Sequence, residues 1–338
     1  MSKKKNEKST VQEFNPDGTP VVRLKSVKYD KWGYIFIAPF FLVYFFWSLI
    51  PQILTIFYSF FERYQTGLTI VGPTWNNFQN YITIFSPDNN GIIGILKYGG
   101  NTLIMWVLGA VPQFVIAMLL AVWFTSYRLN IKGQPFFKTV IYMPNLIMAS
   151  AFSMLFFTLF SNVGPVNQFL QQYMDTSFDF FNSTISVRLL VAAMNFLMWF
   201  GNTTIVLMAG IMGIDNSLFE AAAIDGASSL KVFFKVTLPL LMPILNYAVI
   251  TSMIGGINMY DVPYILTNRQ GFPNRTSMTL IMYLQNYMVN KNYGMGGAIS
   301  VVIFIFAGLL SLSVYRFLVN QYTDKIPGNS NKKRGGKR

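Results

Sequence analysis

Six stretches of about twenty residues run through this chain without a charged side chain: approximately 33–61, 101–126, 139–160, 189–213, 238–260 and 296–315. About twenty apolar residues in a helix cross the hydrocarbon core of a bilayer. Inside that core every backbone N–H and C=O must find a partner within its own element, and a helix does this one segment at a time. The pattern therefore predicts an all-α polytopic membrane protein with six transmembrane helices. Composition agrees: 53% of residues are hydrophobic and only 12% charged, against about 25% charged in soluble domains.

The net charge of +13 invites a nucleic-acid reading, but its placement argues for membrane topology instead. Cytoplasmic flanks of membrane helices are enriched in Lys and Arg. With the N-terminus inside, the two tails, the loop bearing Arg128, Lys132 and Lys138, and the loop bearing Lys231 and Lys235 hold 20 of the 26 basic residues. Both termini are thus expected in the cytoplasm, on a protein with no nucleic-acid partner and with lipid around it. The basic N-terminus followed by an apolar run superficially suggests a signal peptide. Residues 33–61 exceed the roughly 7–15 residues of an h-region and have no small-residue cleavage site after them, so a retained span is expected. Tails 1–32 and 321–338 are polar, basic and expected to be disordered. Between them lie the first span, an outer loop at 62–98 and a helical bundle at 99–320. The outer loop is expected to carry short surface helices, with Trp75, Phe78 and Tyr81 as interfacial anchors.

The chain has no cysteine and no histidine. Disulfides, thiolate or imidazole metal sites and histidine-based triads are excluded, and no catalytic or metal site is expected. No Gly-rich phosphate loop of the G-x-x-x-x-G-K-[ST] type occurs, so the chain is not expected to bind ATP itself or to be an enzyme.

The most informative loop, 214–238, joins the fourth and fifth windows. Ser217 followed three residues later by Glu220 has capping-box spacing. Ala221, Ala222 and Ala223 are strong helix formers, Asp225 follows, and Gly226 can take the positive φ that ends a helix. Ser228 or Ser229 can cap a second helical stretch, with Leu230, Phe233 and Phe234 on one side and Lys231 and Lys235 exposed. Pro239 marks entry to the next span. By itself, such a hairpin could be a docking lever or an inert amphipathic turn.

Glu220, Ala221 and Ala222, then Gly226 after three residues, then Val236, Thr237, Leu238 and Pro239 after nine more, closely resemble the EAA loop of ATP-binding-cassette (ABC) importer permeases. Val236 stands where Ile is usual. Gly213, Ile214 and Asp215 stand where that family often has an Ile-Pro pair. Asn80 and Tyr81, Asn101 and Thr102, and the run FKTVIYMPNLI with Pro144 look like the carbohydrate-uptake branch. The resemblance, which covers about residues 33–320, implies a permease subunit paired with a second permease as a heterodimer. It implies ABC ATPase subunits that bind ATP and Mg and receive the EAA helix, with Glu220, Ala221, Ala222, Asp225, Gly226 and Pro239 as coupling residues. It also implies an external solute-binding protein that delivers a sugar.

Polar residues inside spans are costly and should face protein or a water-filled path. Asn195, Trp199 and Asn202 recur at i, i+4 and i+7 on one face of the fourth window, and Ser252, Gly255, Gly256 and Met259 do the same on the fifth. Two such stripes could line a substrate path, with Trp199 as a stacking surface, the amides hydrogen-bonding hydroxyls, and the glycines admitting a substrate or breaking the helix. They could equally serve helix packing. The positions coincide with sugar-lining faces in the similar maltose permease, where Asn195 matches in residue type but Trp199, Gly255, Gly256 and Met259 do not. Asp261 and Arg188 are gate elements or interfacial charges. The competing function is an ion-coupled secondary transporter, which would ordinarily need ionisable groups within its spans.

Overall fold

In the computed structural model, residues 30–89, 91–126 and 132–323 are described. Both expected disordered tails, apart from residues 30–32 and 321–323, and Arg128 lie outside them. The described residues fall into two compact units that divide after Leu54. The first contains α1 (Asp30–Tyr44), a π-helical turn (Phe45–Leu49) and the start of α2 (Ile50–Tyr58).

The second unit continues from Thr55 through β1 (Phe61–Thr66), β2 (Thr69–Trp75), α3 (Gln79–Phe85), α4 (Gly94–Thr125), α5 (Gln134–Leu146), α6 (Ala149–Phe160) and α7 (Pro165–Met174). It is completed by α8 (Thr184–Met212), α9 (Asn216–Ile224), α10 (Ser229–Val232), a second π turn (Phe233–Thr237), α11 (Leu238–Ile257), α12 (Asp261–Leu266), α13 (Leu280–Val289) and α14 (Tyr293–Thr323). Among the described residues six stretches are long and apolar enough to cross a membrane: Lys31–Tyr58, Gly94–Thr125, Ala149–Met174, Thr184–Met212, Ser229–Leu266 and Tyr293–Leu318.

Both π turns have one cause. Ile50 N–H bonds to Phe45 O and Leu238 N–H to Phe233 O, each five residues back, and each is followed at once by a proline, Pro51 or Pro239. A proline ring clashes with the carbonyl four residues earlier in an α-helix. One wider turn relieves that clash, so Pro239 marks a bulge within a continuing helix and not a fresh start.

The third window is not one helix. α5 ends at Leu146, Ile147 and Met148 are extended (ψ 132° and 134°), and α6 starts at Ala149. Pro144 cannot donate to the Val140 carbonyl, and the helix gives out within a turn of it. The outer loop carries α3 as expected, but also a β-hairpin. Strand pairing runs from Phe61↔Trp75 to Thr66↔Thr69, with an irregularity between Glu62 and Tyr64. Pro73 lies opposite that irregularity, where a residue without an N–H costs the ladder nothing. Trp75, Phe78 and Tyr81 gather around Phe60, with ring centroids 5.9, 5.4 and 5.4 Å away.

α4 and α8 form the central helix pair. They approach closely at Gly109, where a β-carbon would stand 2.9 Å from Ala192 O. On one side of that crossing pack Met105, Val191, Met194 and Leu266; on the other pack Ala117, Ala121, Leu207 and Leu241.

Candidate functional site: a neutral cavity and an exposed hairpin

Between α4, α8 and α11 lies a cavity of about 380 Å³, within the roughly 300–1,000 Å³ of small-molecule sites. All seven residues of the two stripes border it. α8 contributes Asn195, Trp199 and Asn202; α11 contributes Ser252, Gly255 and Gly256, and Met259 follows just past its end. Two helical faces read separately from the sequence thus share one space.

The hydrogen bonds decide what each polar group can still offer. Asn195 Nδ2 donates to Val191 O at 2.9 Å and to Met259 Sδ at 3.4 Å, which leaves its Oδ1 as an acceptor. Ser252 Oγ accepts from Trp106 Nε1 at 3.2 Å, so its own hydroxyl hydrogen remains available. Among the described residues the Asn202 amide has no intramolecular partner. Trp199, which lines the cavity, is 48% exposed.

The two glycines differ. α11 runs unbroken to Ile257, so of the two roles open to these glycines neither breaks the helix. A β-carbon on Gly256 would overlap the Trp106 indole, whereas one on Gly255 would meet nothing within 4 Å. Gly256 is a packing residue and only Gly255 leaves open space.

Sequence reading missed the α4 wall. Trp106, Gly109, Ala110 and Gln113 border the cavity at i, i+3, i+4 and i+7, a spacing that was visible in the sequence. Gln113 Nε2 donates to Thr203 Oγ1 at 2.7 Å, and Thr203 Oγ1 donates to Trp199 O at 3.0 Å. Thr251 and Tyr247, one and two turns before Gly255, also border the cavity.

Several residues that carried the resemblance serve the scaffold. Asn80 Nδ2 donates to Ser59 O and Phe61 O, closing the end of the first span, and Tyr81 and Ser59 share a 2.6 Å hydroxyl contact. Thr102 Oγ1 accepts from Leu280 N–H. Arg188 donates to Asn101 Oδ1 at 2.7 Å and to Thr276 O at 3.0 Å, so it is a tie between helices and not a free surface charge. Asp261 is exposed in the first turn of α12.

At the other end of α8, loop 214–238 forms a helix–turn–helix. Its start differs from the expected capping box: Asp215 is the N-cap, accepting from Ser217 N–H at 3.0 Å, and α9 begins at Asn216. Ser217 therefore lies inside the helix, and no hydrogen bond joins it to Glu220 among the described residues. Ser217 holds the Asp215 carboxyl below the usual carboxylate range, chiefly through its backbone N–H and then its hydroxyl.

The end of α9 follows expectation. Gly226 has φ +66°. Ala227 N–H bonds to Ala222 O at 2.9 Å and Gly226 N–H to Ala223 O at 3.1 Å, the pair of bonds that makes a Schellman turn. Asp225 is the C-cap. Ser228 Oγ then accepts from Lys231 N–H to start α10. Of the expected apolar side, only Phe233 turns inward; Leu230 is 72% exposed and Phe234 61%.

Ile224, at 87% exposure, joins them on the outer surface, as do Ala221 and Glu220. A second cavity of about 480 Å³ opens between the hairpin and the ends of α4 and α8, and the exposed Glu220 stands at its border together with Phe219, Met212 and Phe233.

Comparison with known proteins places these features in a family. Residues 101–324 match the model of the binding-protein-dependent transport system inner membrane component. The arabinooligosaccharides transport system permease protein AraP of Bacillus subtilis is 29% identical over 284 residues, covering 82% of this chain and 86% of the relative. The multiple sugar-binding transport system permease protein MsmF of Streptococcus mutans is 28% identical over 298 residues, covering 86% and 96%. Among solved structures, a chain of a bacterial ABC transporter that imports the acidic polysaccharide alginate shares the fold, with a TM-score of 0.71 at 20% identity, over 89% of this chain and 98% of that one. With six membrane-crossing stretches and a family match over most of its length, this chain belongs to the inner membrane components of binding-protein-dependent transport systems, and is a multi-pass permease subunit of an ABC importer.

Proposed function

We propose that this chain forms, together with a second permease subunit, the path by which a sugar or oligosaccharide enters the cell. An external binding protein delivers the solute, and separate ATPase subunits bind ATP and Mg and drive transport. The observation that carries the reading is the convergence of Asn195, Trp199, Asn202, Ser252 and Gly255 on one uncharged cavity with aromatic and amide walls. Aromatic faces stack on sugar rings, and amides both donate to and accept from hydroxyls. The names of the two curated relatives, both sugar permeases, support the same class.

Coupling is assigned to the hairpin. α9 is short, capped at Asp215 and locked at Gly226, and it presents Ala221, Glu220 and Ile224 outward as a rigid knob. The distribution of Lys and Arg supports a cytoplasmic side for this hairpin and both termini, where an ATPase would meet it.

The test is reconstitution of the chain with its neighbouring-gene permease, ATPase and binding protein in proteoliposomes. The expected result is sugar uptake that requires ATP and liganded binding protein and is indifferent to ionophores. Uptake that survives ATP depletion and collapses with an ionophore would overturn it.

A further inference from the structure

The cavity between α4, α8 and α11 has a chemical bias, and on the reading of this cavity as the sugar path it narrows the substrate class. No lining residue carries a charge. Asn195 spends both N–H groups and Gln113 one of its two on protein acceptors, and both keep carbonyl oxygens. Thr251 donates its hydroxyl to Tyr247 O and keeps only lone pairs. Asn202, the Ser252 hydroxyl, the Tyr247 phenol and the Trp199 indole N–H can donate, so the wall offers both acceptors and donors but no charge.

A neutral saccharide, whose hydroxyls both donate and accept, matches such an uncharged wall. A carboxylate has no hydrogen to give and would face Asn195 Oδ1 and Gln113 Oε1 with no cation to offset its loss of water. The cations along the lining helices stand off. Arg188, seven residues before Asn195, is about 10 Å away along the axis, and its guanidinium is already engaged by Asn101 and Thr276. Lys97 precedes Trp106 by nine residues, and its ammonium donates to Asn274 O.

We infer that this permease selects neutral glycosides and rejects uronates at the Asn195–Gln113–Thr251 wall, unlike the solved neighbour whose cargo is an acidic polysaccharide. The discrimination belongs to the permease itself, in addition to whatever the binding protein imposes.

The test uses the purified, assembled importer without binding protein. Binding is followed by tryptophan fluorescence with a panel of neutral trisaccharides and with trigalacturonate paired against its methyl ester, which has the same rings and no charge. Neutral probes should bind at least about tenfold more tightly than the uronate, the scale of an uncompensated charge entering a poorly hydrated site. The ester should stand above its acid, and Asn202→Lys should narrow or reverse that gap. A uronate that binds the wild-type complex as tightly as its ester overturns the inference while leaving the sugar reading intact. Failure of every saccharide to bind, with ATP-driven uptake of some other solute, overturns both.

Discussion

Arg188 Nη2 donates to Asn101 Oδ1 across 2.7 Å, while Asn101 Nδ2 donates onward to the carbonyls of Arg275 and Met278. One side-chain pair thus ties α4, α8 and the segment before α13. Asn101 is only 4% exposed, so truncating either partner strands a polar group in a poorly hydrated place. Arg188→Met and Asn101→Ala should each cost about 2 kcal/mol, the scale of a hydrogen bond to a charged group. Thermal unfolding in detergent should show a double mutant less damaged than the sum of the singles, by about 1 kcal/mol or more. Strict additivity would mean that the pair is a bystander.

Adjacent glycines on α11 should respond oppositely to one methyl group. Gly256→Ala drives a β-carbon into the Trp106 indole and disturbs its bond to Ser252; overpacking of this kind costs about 1–3 kcal/mol. Gly255→Ala meets open space and gains up to about 1 kcal/mol of helix propensity. Melting temperature should fall for the first and hold or rise for the second. Matching losses at both sites would show that α11 does not face the cavity as described.

The six spans were legible because hydropathy is written along the chain, and the paired stripes because helical faces repeat every three to four residues. What could not be read depended on partners distant in sequence. Whether Gly256 or Gly255 faces open space is decided by Trp106, 150 positions away. Whether Arg188 is a gate or a tie is decided by Asn101 and Thr276. The β-hairpin was missed because Glu62 to Thr66 alternate too weakly to stand out; the turn at Gly67, with φ +62°, was the available signal. At loop 214–238 two cap patterns overlapped. Asp215 and Ser217 can both cap a helix, and the local sequence does not say which of them the end of α8 leaves in extended geometry.

Asp215 gives that last point a pH signature. Its folded-state pKa is lowered by the bonds from Ser217, so its contribution to α9 is complete above the unfolded carboxylate value of about 3.9. It is lost as pH falls through the lower folded value. Amide exchange across Asn216–Ile224, corrected for intrinsic rates, should therefore lose protection in acid. Asp215→Asn should keep the cap and flatten this dependence, whereas Asp215→Ala should lose protection at every pH. An unchanged acid dependence in Asp215→Asn would assign the effect to another group.

Gly226 offers the sharpest test of the hairpin as a coupling element. Nothing lies within 4 Å of the place a β-carbon would occupy, yet its φ is +66°, so substitution there is a question of backbone and not of space. A non-glycine residue in this conformation costs roughly 1–2 kcal/mol, with Asn the best tolerated. Gly226→Asn should retain most binding-protein-stimulated ATP hydrolysis and uptake, Gly226→Ala less, and Gly226→Val or Gly226→Pro little, all with normal membrane insertion. Glu220→Lys leaves the turn intact but reverses the charge on the exposed face, and should uncouple without altering the exchange pattern of α9. If Gly226→Pro and Glu220→Lys complexes both kept full stimulated hydrolysis and uptake, force would have to reach the helices by some route other than this hairpin.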